Sequence, residues 1–167
     1  MQTKPPSWAQ DVDHELSQLL ALHRLFREKG YKSRHSEVVR RALRVAYSSH
    51  FRTLMEFFHD GRPSDSDWKR IGNEKKGDVR YSRVTGGPNP FARQWSKREL
   101  KRFRDADKLA AHLSDQRAAR RGSRAEWGDD DDWRLIRPMI HDFLLRTTAQ
   151  AASYPRTVRA AKALGLA

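Results

Sequence analysis

The helical architecture follows from two stretches: residues 7–30 read SWAQDVDHELSQLLALHRLFREKG, and residues 33–59 read SRHSEVVRRALRVAYSSHFRTLMEFFH. In both, apolar side chains recur at steps of three and four residues, which places them on one face of a helix. The predicted apolar face of the first helix is Trp8, Val12, Leu16, Leu19, His23 and Phe26, and that of the second is Val39, Leu43, Ala46, His50, Leu54, Phe57 and Phe58. The short joint at 30–33 predicts an antiparallel helical hairpin.

Two histidines interrupt these apolar faces. His23 and His50 fall near the middle of their stripes, so each ring is predicted to be at least partly buried and to need a hydrogen-bond partner. Burial disfavours the charged imidazolium. A structural role for each ring is favoured over a catalytic one. A metal site made by these two alone is not expected, because they lie at different distances from the turn.

Capping signals and breakers place the rest of the chain. Ser96 with Glu99 forms a capping box that opens a third helix, which reaches to about residue 120. A fourth helix covers 133–144, where Pro138 predicts a kink or a restart because proline lacks a backbone donor.

Glycine and proline mark the connections. Residues 62–95 are rich in both and predict a long irregular connection between the second and third helices. Residues 155–167 are predicted to form a basic tail that is solvated or binds phosphate. Four main amphipathic helices therefore predict an all-α protein, an up-and-down bundle that forms a single domain over residues 1–167.

Composition excludes several classes of protein. The chain has no cysteine, which excludes disulfides and thiolate metal sites, and no stretch is apolar enough to span a membrane or act as a secretory signal. The aspartates at 129–132 precede the fourth helix, where the positive end of the helix dipole favours carboxylates. Adjacent on a loop, they offer no fixed geometry to a metal ion. We therefore expect a cytoplasmic protein with no membrane contact, no cofactor and no metal site.

Charge indicates the partner. The chain carries 34 Lys and Arg against 21 Asp and Glu, a formal net charge of +13, and most of this excess falls in residues 24–44 and 93–124. Such a field attracts polyanions, and each neutralised phosphate releases condensed counterions, so nucleic acid is the predicted partner, with RNA favoured. The predicted phosphate-binding residues are Arg41, Arg44, Lys101, Arg102, Arg104, Lys108, Arg120 and Arg121.

Two segments resemble a group of uncharacterised small bacterial helical proteins. Residues 50–58 read HFRTLMEFF, which is similar to the His-x-Arg-x-Leu-x-x-Phe-Phe helix of that group. Residues 108–114 read KLAAHLS, which is similar to its Lys-x-x-Ala-His-Leu-Ser/Thr segment. The resemblance covers about a third of the chain and implies no particular activity.

A wider resemblance is to HEPN domains, helical bundles whose catalytic signature is an arginine followed, after four to six intervening residues, by a histidine. Arg44 with His50, Arg52 with His59 and Arg134 with His141 have this spacing. The resemblance implies metal-independent cleavage of RNA, in which histidine transfers protons and arginine stabilises the charge on the phosphoryl oxygens.

Within that resemblance, the implied catalytic residues are Arg52, His59 and His112. Arg52 and His59 are preferred because a separation of seven residues returns both side chains to the same helix face, which also carries Arg41, Arg44 and Ser48. His112, on the third helix, is a second candidate proton carrier. HEPN enzymes commonly build their site across a dimer, so a homodimer is expected.

Three classes of function therefore remain. The first is a nucleic-acid-binding protein that contacts phosphates through basic helix faces. The second is a HEPN-type endoribonuclease that needs no metal. The third is a structural or protein-interaction module whose positive surface binds an acidic protein.

Overall fold

The computed structural model describes residues 7–61, 79–92, 95–111 and 130–166. Across these ranges the chain forms helices and no strand, which confirms the predicted all-α class. The helices are α1 (Ser7–Arg27), α2 (Tyr31–Arg34), α3 (Glu37–Phe58), α4 (Tyr81–Thr85), α5 (Lys97–Ala111), α6 (Asp130–Arg146), a 3₁₀ helix (Thr148–Ser153) and α7 (Pro155–Ala163).

Helices α1 and α3 form the predicted hairpin. Gly30, with φ 79°, takes the left-handed conformation that lets the chain turn into the short helix α2. Ser36 is the N-cap of α3, and its hydroxyl accepts a hydrogen bond from the Val39 backbone at 3.4 Å. The Phe26 ring lies 5.5 Å from that of Tyr47, whereas Glu15 lies beside His50, so the two helices run antiparallel.

The core lies where α3 packs against α1 on one side and α5 on the other. In α3, the buried side chains begin at Val45 and include Tyr47, Phe51 and Leu54. Val39 was predicted to face this core and is 42% exposed, so that prediction is wrong. Val39 lies in the first two turns of α3, which contribute no buried side chain.

The predicted irregular connection contains a helix. Residues 81–85 form α4, and the completely buried Tyr81 ring packs against Phe57, Phe58 and Phe143 at centroid distances of 5.8–6.3 Å. The prediction is therefore wrong for this part of 62–95, because tertiary contacts of one aromatic ring outweigh the local turn signals. Residues 62–78 and 93–94 lie outside the described ranges.

Helix α5 begins where its capping box indicates, whereas α6 begins at Asp130, three residues before its predicted start, so Asp130 to Asp132 lie in its first turn. The Ser96 backbone donates to Glu99 Oε2 at 2.7 Å, and the Glu99 backbone donates to Ser96 Oγ at 3.2 Å, which confirms the capping box. Helix α6 passes through Pro138 as one element, so the predicted restart is wrong. Pro138 lies on the exposed side of the helix.

The predicted basic tail forms a further helix. Helix α7 packs along α1 and buries Thr157 and Ala161. The buried Asp13 of α1 holds its first turn, because one carboxylate oxygen accepts from the Thr157 backbone at 2.8 Å and the other from the Arg156 backbone at 3.3 Å. The packed set therefore includes a helix that the four-helix prediction left out.

The capping role of Asp13 gives the first prediction. Asp13→Ala is expected to lower the free energy of unfolding by about 1 to 2 kcal/mol, because it leaves backbone donors of α7 without their acceptor in a buried place. Denaturant unfolding measures this loss, and amide hydrogen exchange should show it first in α7. Asp11→Ala, at an exposed position on the same helix, is the control. Equal stability of the two variants would contradict the cap.

Candidate nucleic-acid interface

The acidic start of α6 ties three helices together. Each carboxylate at 130–132 binds an arginine of another helix: Asp130 binds Arg27 of α1, and Asp131 and Asp132 bind Arg98 and Arg102 of α5. The predicted placement of aspartates at the positive end of this helix is confirmed for these three. Their second role, as ion-pair partners of other helices, was not predicted.

One of these pairs corrects a predicted phosphate-binding residue. Arg102 was expected on the solvated side of its helix, yet it is only 8% exposed and binds the completely buried Asp132. The prediction of its position is wrong, because its guanidinium binds a carboxylate that is buried in the interior. Arg102 is therefore not part of the exposed basic surface of the protein.

Most other acidic side chains also have a basic or backbone partner. The ion pairs are Glu28 with Arg34, Glu37 with Arg40 and Arg44, Glu56 with Arg52, Asp105 with Lys101, and Asp142 with Arg146. Within the described ranges Lys and Arg outnumber Asp and Glu by 23 to 14. Once the carboxylates are engaged in this way, the excess positive charge remains on the surface.

Part of that charge lies on the outer face of α7. Arg156, Arg159 and Lys162 follow at steps of three, and all three are exposed. None of them forms an ion pair with an acidic residue of the ranges that the structure describes. From residue 143 to the last residue the sequence has no Asp or Glu. We call these three residues the α7 cation row.

A second exposed group lies on α6. Arg134 and Arg137 are one turn apart, and neither has an ion-pair partner among the described residues. Neither residue is among the predicted phosphate-binding residues, and the α7 cation row was predicted to lie on a basic tail rather than on a helix. The signal that could have identified the row was the acid-free run after residue 142.

Those of the other predicted phosphate-binding residues that the structure describes differ in exposure and pairing. Arg41 is exposed near the start of α3, whereas Arg44 is half-buried and lies 3.7 Å from Glu37. Lys101 is exposed and binds Asp105 at 3.0 Å, and Arg104 is partly buried. The side chains of Lys108, Arg120 and Arg121 lie outside the part of the chain that the structure describes.

The predicted catalytic residues Arg52 and His59 do not form an exposed pair on the polar face of α3. His59 was expected on the polar face beside Arg52, and instead its ring is completely buried, stacked at 4.1 Å on Trp95. Its Nε2 lies 3.5 Å from Glu99 Oε1, which is also buried. Ser48 is buried as well, so the predicted polar face of α3 is wrong at both positions. Arg52 is half-buried and lies 3.8 Å from Glu56, and His112 lies outside the described residues.

The two histidines of the apolar faces differ in environment. His23 is 3% exposed and stacks on Trp133 at 4.0 Å, and burial, reinforced by the nearby Arg27 charge, lowers the pKa of His23 to about 4. His50 is half-buried, and its Nδ1 lies 2.8 Å from Glu15 Oε2. The prediction that these rings are at least partly buried is confirmed for both, and a hydrogen-bond partner is found for His50.

Comparison with known proteins assigns no family, because no family model, curated protein or solved structure matches the chain. Within the described ranges, no helix is both long enough and apolar enough to cross a membrane.

Proposed function

We propose that the protein binds nucleic acid, with RNA favoured, through phosphate contacts made by the α7 cation row. The observation that carries this proposal is the exposed row Arg156, Arg159 and Lys162, which has no acidic partner in the described ranges. Cations whose charge is not already neutralised within the protein gain most from phosphate, because they release counterions without losing an internal ion pair.

The position of the α7 cation row is fixed by the packing of its helix. Helix α7 is packed against α1 and its first turn is fixed by Asp13, so the row is held on a rigid element rather than on a mobile tail. The six-residue separation from Arg156 to Lys162 corresponds to about 9 Å along the helix axis. That length suits contacts with neighbouring phosphates of one strand. Arg134 and Arg137 on α6 are the proposed second contact.

The test measures binding of a labelled single-stranded RNA by fluorescence anisotropy across a range of salt concentrations. The variant changes Arg156, Arg159 and Lys162 to Ala. Because each phosphate contact on a single strand contributes about 0.7 to the slope of log K against log salt, the slope should fall by about 2. At 0.1 M salt the same arithmetic gives a loss of affinity on the order of 100-fold.

A matched control removes the same charge elsewhere. Changing Arg34, Arg98 and Lys101 to Ala lowers the net charge equally, but these residues already bind carboxylates of the protein. We expect this variant to keep most of the affinity and the salt slope. If both variants lose the same affinity for RNA, net charge rather than the α7 cation row determines binding. If the wild-type protein shows no salt-dependent binding of RNA, the alternative that it binds an acidic protein is favoured. The same oligonucleotide as DNA tests the preference for RNA.

The predicted homodimer, cytoplasmic location and up-and-down course of the four longest helices stay predictions.

The HEPN-type ribonuclease remains the alternative function. Its preferred histidine, His59, is enclosed by Trp95 and Glu99, which does not favour Arg52 and His59 as the cleaving pair. Sedimentation of the purified protein at several concentrations tests self-association.

A further inference from the structure

Three polar side chains form a cluster where α1 meets α3. Glu15 Oε2 of α1 lies 2.8 Å from Nδ1 of His50 on α3, and the ring of His14 lies 6.1 Å from that of His50, edge to face. His14 is exposed, and the His50 side chain is 18% exposed, so solvent reaches both rings. Unlike His23 and His59, these two histidines lie at the surface and beside each other.

The contact with Glu15 determines which nitrogen of the His50 ring carries the proton. A carboxylate only accepts hydrogen bonds, so Nδ1 must carry the proton that it donates to Glu15. In the neutral ring, Nε2 then has a free lone pair and is the atom able to take up a proton. This is how a carboxylate orients a histidine that acts as a general base.

An exposed basic residue lies close to the turn of α1 that carries His14. Successive side chains point about 100° apart around a helix, and Asp13 points toward α7 whereas Glu15 points toward α3. His14 therefore lies on the strip of α1 between those two helices. The Arg156 backbone is 3.3 Å from Asp13, which places this exposed arginine beside the turn of α1 that carries His14.

We propose that His14, His50 and Arg156, with Glu15 positioning His50, form a site that cleaves single-stranded RNA without a metal ion. The proposal rests on the proposed function, because it needs the chain to bind RNA. His14 and His50 are the catalytic residues, and Arg156, the first member of the α7 cation row, binds the phosphate that reacts. Stability alone does not require a second exposed histidine beside a partly exposed His–Glu pair.

The reaction needs a group that accepts a proton and a group that donates one, and the two histidines supply them. His50 Nε2 takes the proton of a ribose 2′-hydroxyl. At the same time, the oxygen of that hydroxyl forms a bond to the adjacent phosphorus. The bond from that phosphorus to the 5′-oxygen of the next nucleotide breaks, and protonated His14 gives its proton to the leaving oxygen. The products are a 2′,3′-cyclic phosphate and a 5′-hydroxyl. The Arg156 guanidinium stabilises the negative charge on the phosphoryl oxygens in the transition state.

The experiment incubates full-length protein with a labelled single-stranded RNA in the presence of a chelator and identifies products by mass. We expect a 2′,3′-cyclic phosphate end, and no cleavage where the reacting 2′-hydroxyl is replaced by hydrogen. His14→Ala and His50→Ala should each lower kcat by about 10²- to 10⁴-fold, the usual contribution of a general acid or base. His35→Gln, at a histidine outside the cluster, should cleave like wild type.

Two further measurements separate this site from a structural role and from the proposed function. Glu15→Gln keeps an acceptor but removes the charge, so kcat should fall while KM stays unchanged, and Glu15→Asp should restore part of kcat. Anisotropy measures RNA binding by the same proteins, and both histidine variants should bind like wild type. Binding without cleavage by wild type, or cleavage that survives in both histidine variants, overturns the site and leaves the proposed function intact. Absence of binding by wild type overturns both.

Discussion

Asp132→Ala is expected to lower the free energy of unfolding by about 3 to 5 kcal/mol, the largest single-residue effect on stability that we predict. Asp132 is completely buried and Arg102 is 8% exposed, so removal of the carboxylate leaves a guanidinium charge in the interior without its main partner. Loss of a partner from a buried charge costs more than the ion pair itself contributes. Denaturant unfolding followed by far-UV circular dichroism measures the loss.

A neighbouring pair is the matched control. Asp130 lies two residues earlier in the same helical turn and binds Arg27, but both side chains are more than half exposed. Asp130→Ala should therefore change the free energy of unfolding by no more than about 1 kcal/mol. Replacing both members of the buried pair, Arg102→Met with Asp132→Leu, should recover most of the lost stability, since no charge remains buried. Equal losses for the Asp130 and Asp132 variants would show that burial is not the cause.

Acidification should destabilise the protein through His23. Burial, reinforced by the nearby positive charge of Arg27 and opposed by Asp130, lowers the pKa of His23 from 6.5 to about 4 in the folded protein. The unfolded chain therefore binds this proton more readily than the folded protein between those values. Stability that is fully present above pH 6.5 is lost as the pH falls through about 4, and after allowance for screening we expect a loss of about 2 to 3 kcal/mol.

The pH effect is measured as a difference between proteins. His23→Phe keeps a flat ring to stack on Trp133 but has no titrating group, so its stability should fall less than that of wild type between pH 7 and pH 4. His141→Gln, at an exposed histidine, should follow wild type over the same range. If wild type and His23→Phe lose stability in parallel, His23 is protonated equally in the folded and unfolded states, which would contradict its enclosed position.

Internal ion pairing also determines which cations are available to a polyanion. The densest predicted basic stretches contain residues that the fold pairs with carboxylates, as for Arg34, Arg40 and Lys101. The last helix has fewer cations, but no acidic residue follows residue 142 to neutralise them. Charge density along the sequence is therefore a poor guide to charge available at the surface, because a carboxylate of the same segment, as for Arg40, or of another helix, as for Arg98, can pair with a cation.

Local patterns were sufficient for much of the fold. The helix start at Ser96 was predictable because a capping box lies within three residues, where the side chains of Ser96 and Glu99 each accept from the other's backbone. The hairpin was predictable because two amphipathic faces joined by a short turn bury each other. In the same way, burial of His23 followed from its place in an apolar stripe.

The candidate sites depend on contacts between distant parts of the chain. Asp13 caps a helix more than 140 residues away, Glu15 orients His50, and Asp132 draws Arg102 into the interior. Each contact joins groups whose separation along the chain carries no local signal, so periodicity and capping rules could not predict it. Helical character is set by interactions within a few residues, whereas the accessibility and pairing of a histidine or an arginine are set by whichever helix packs over it.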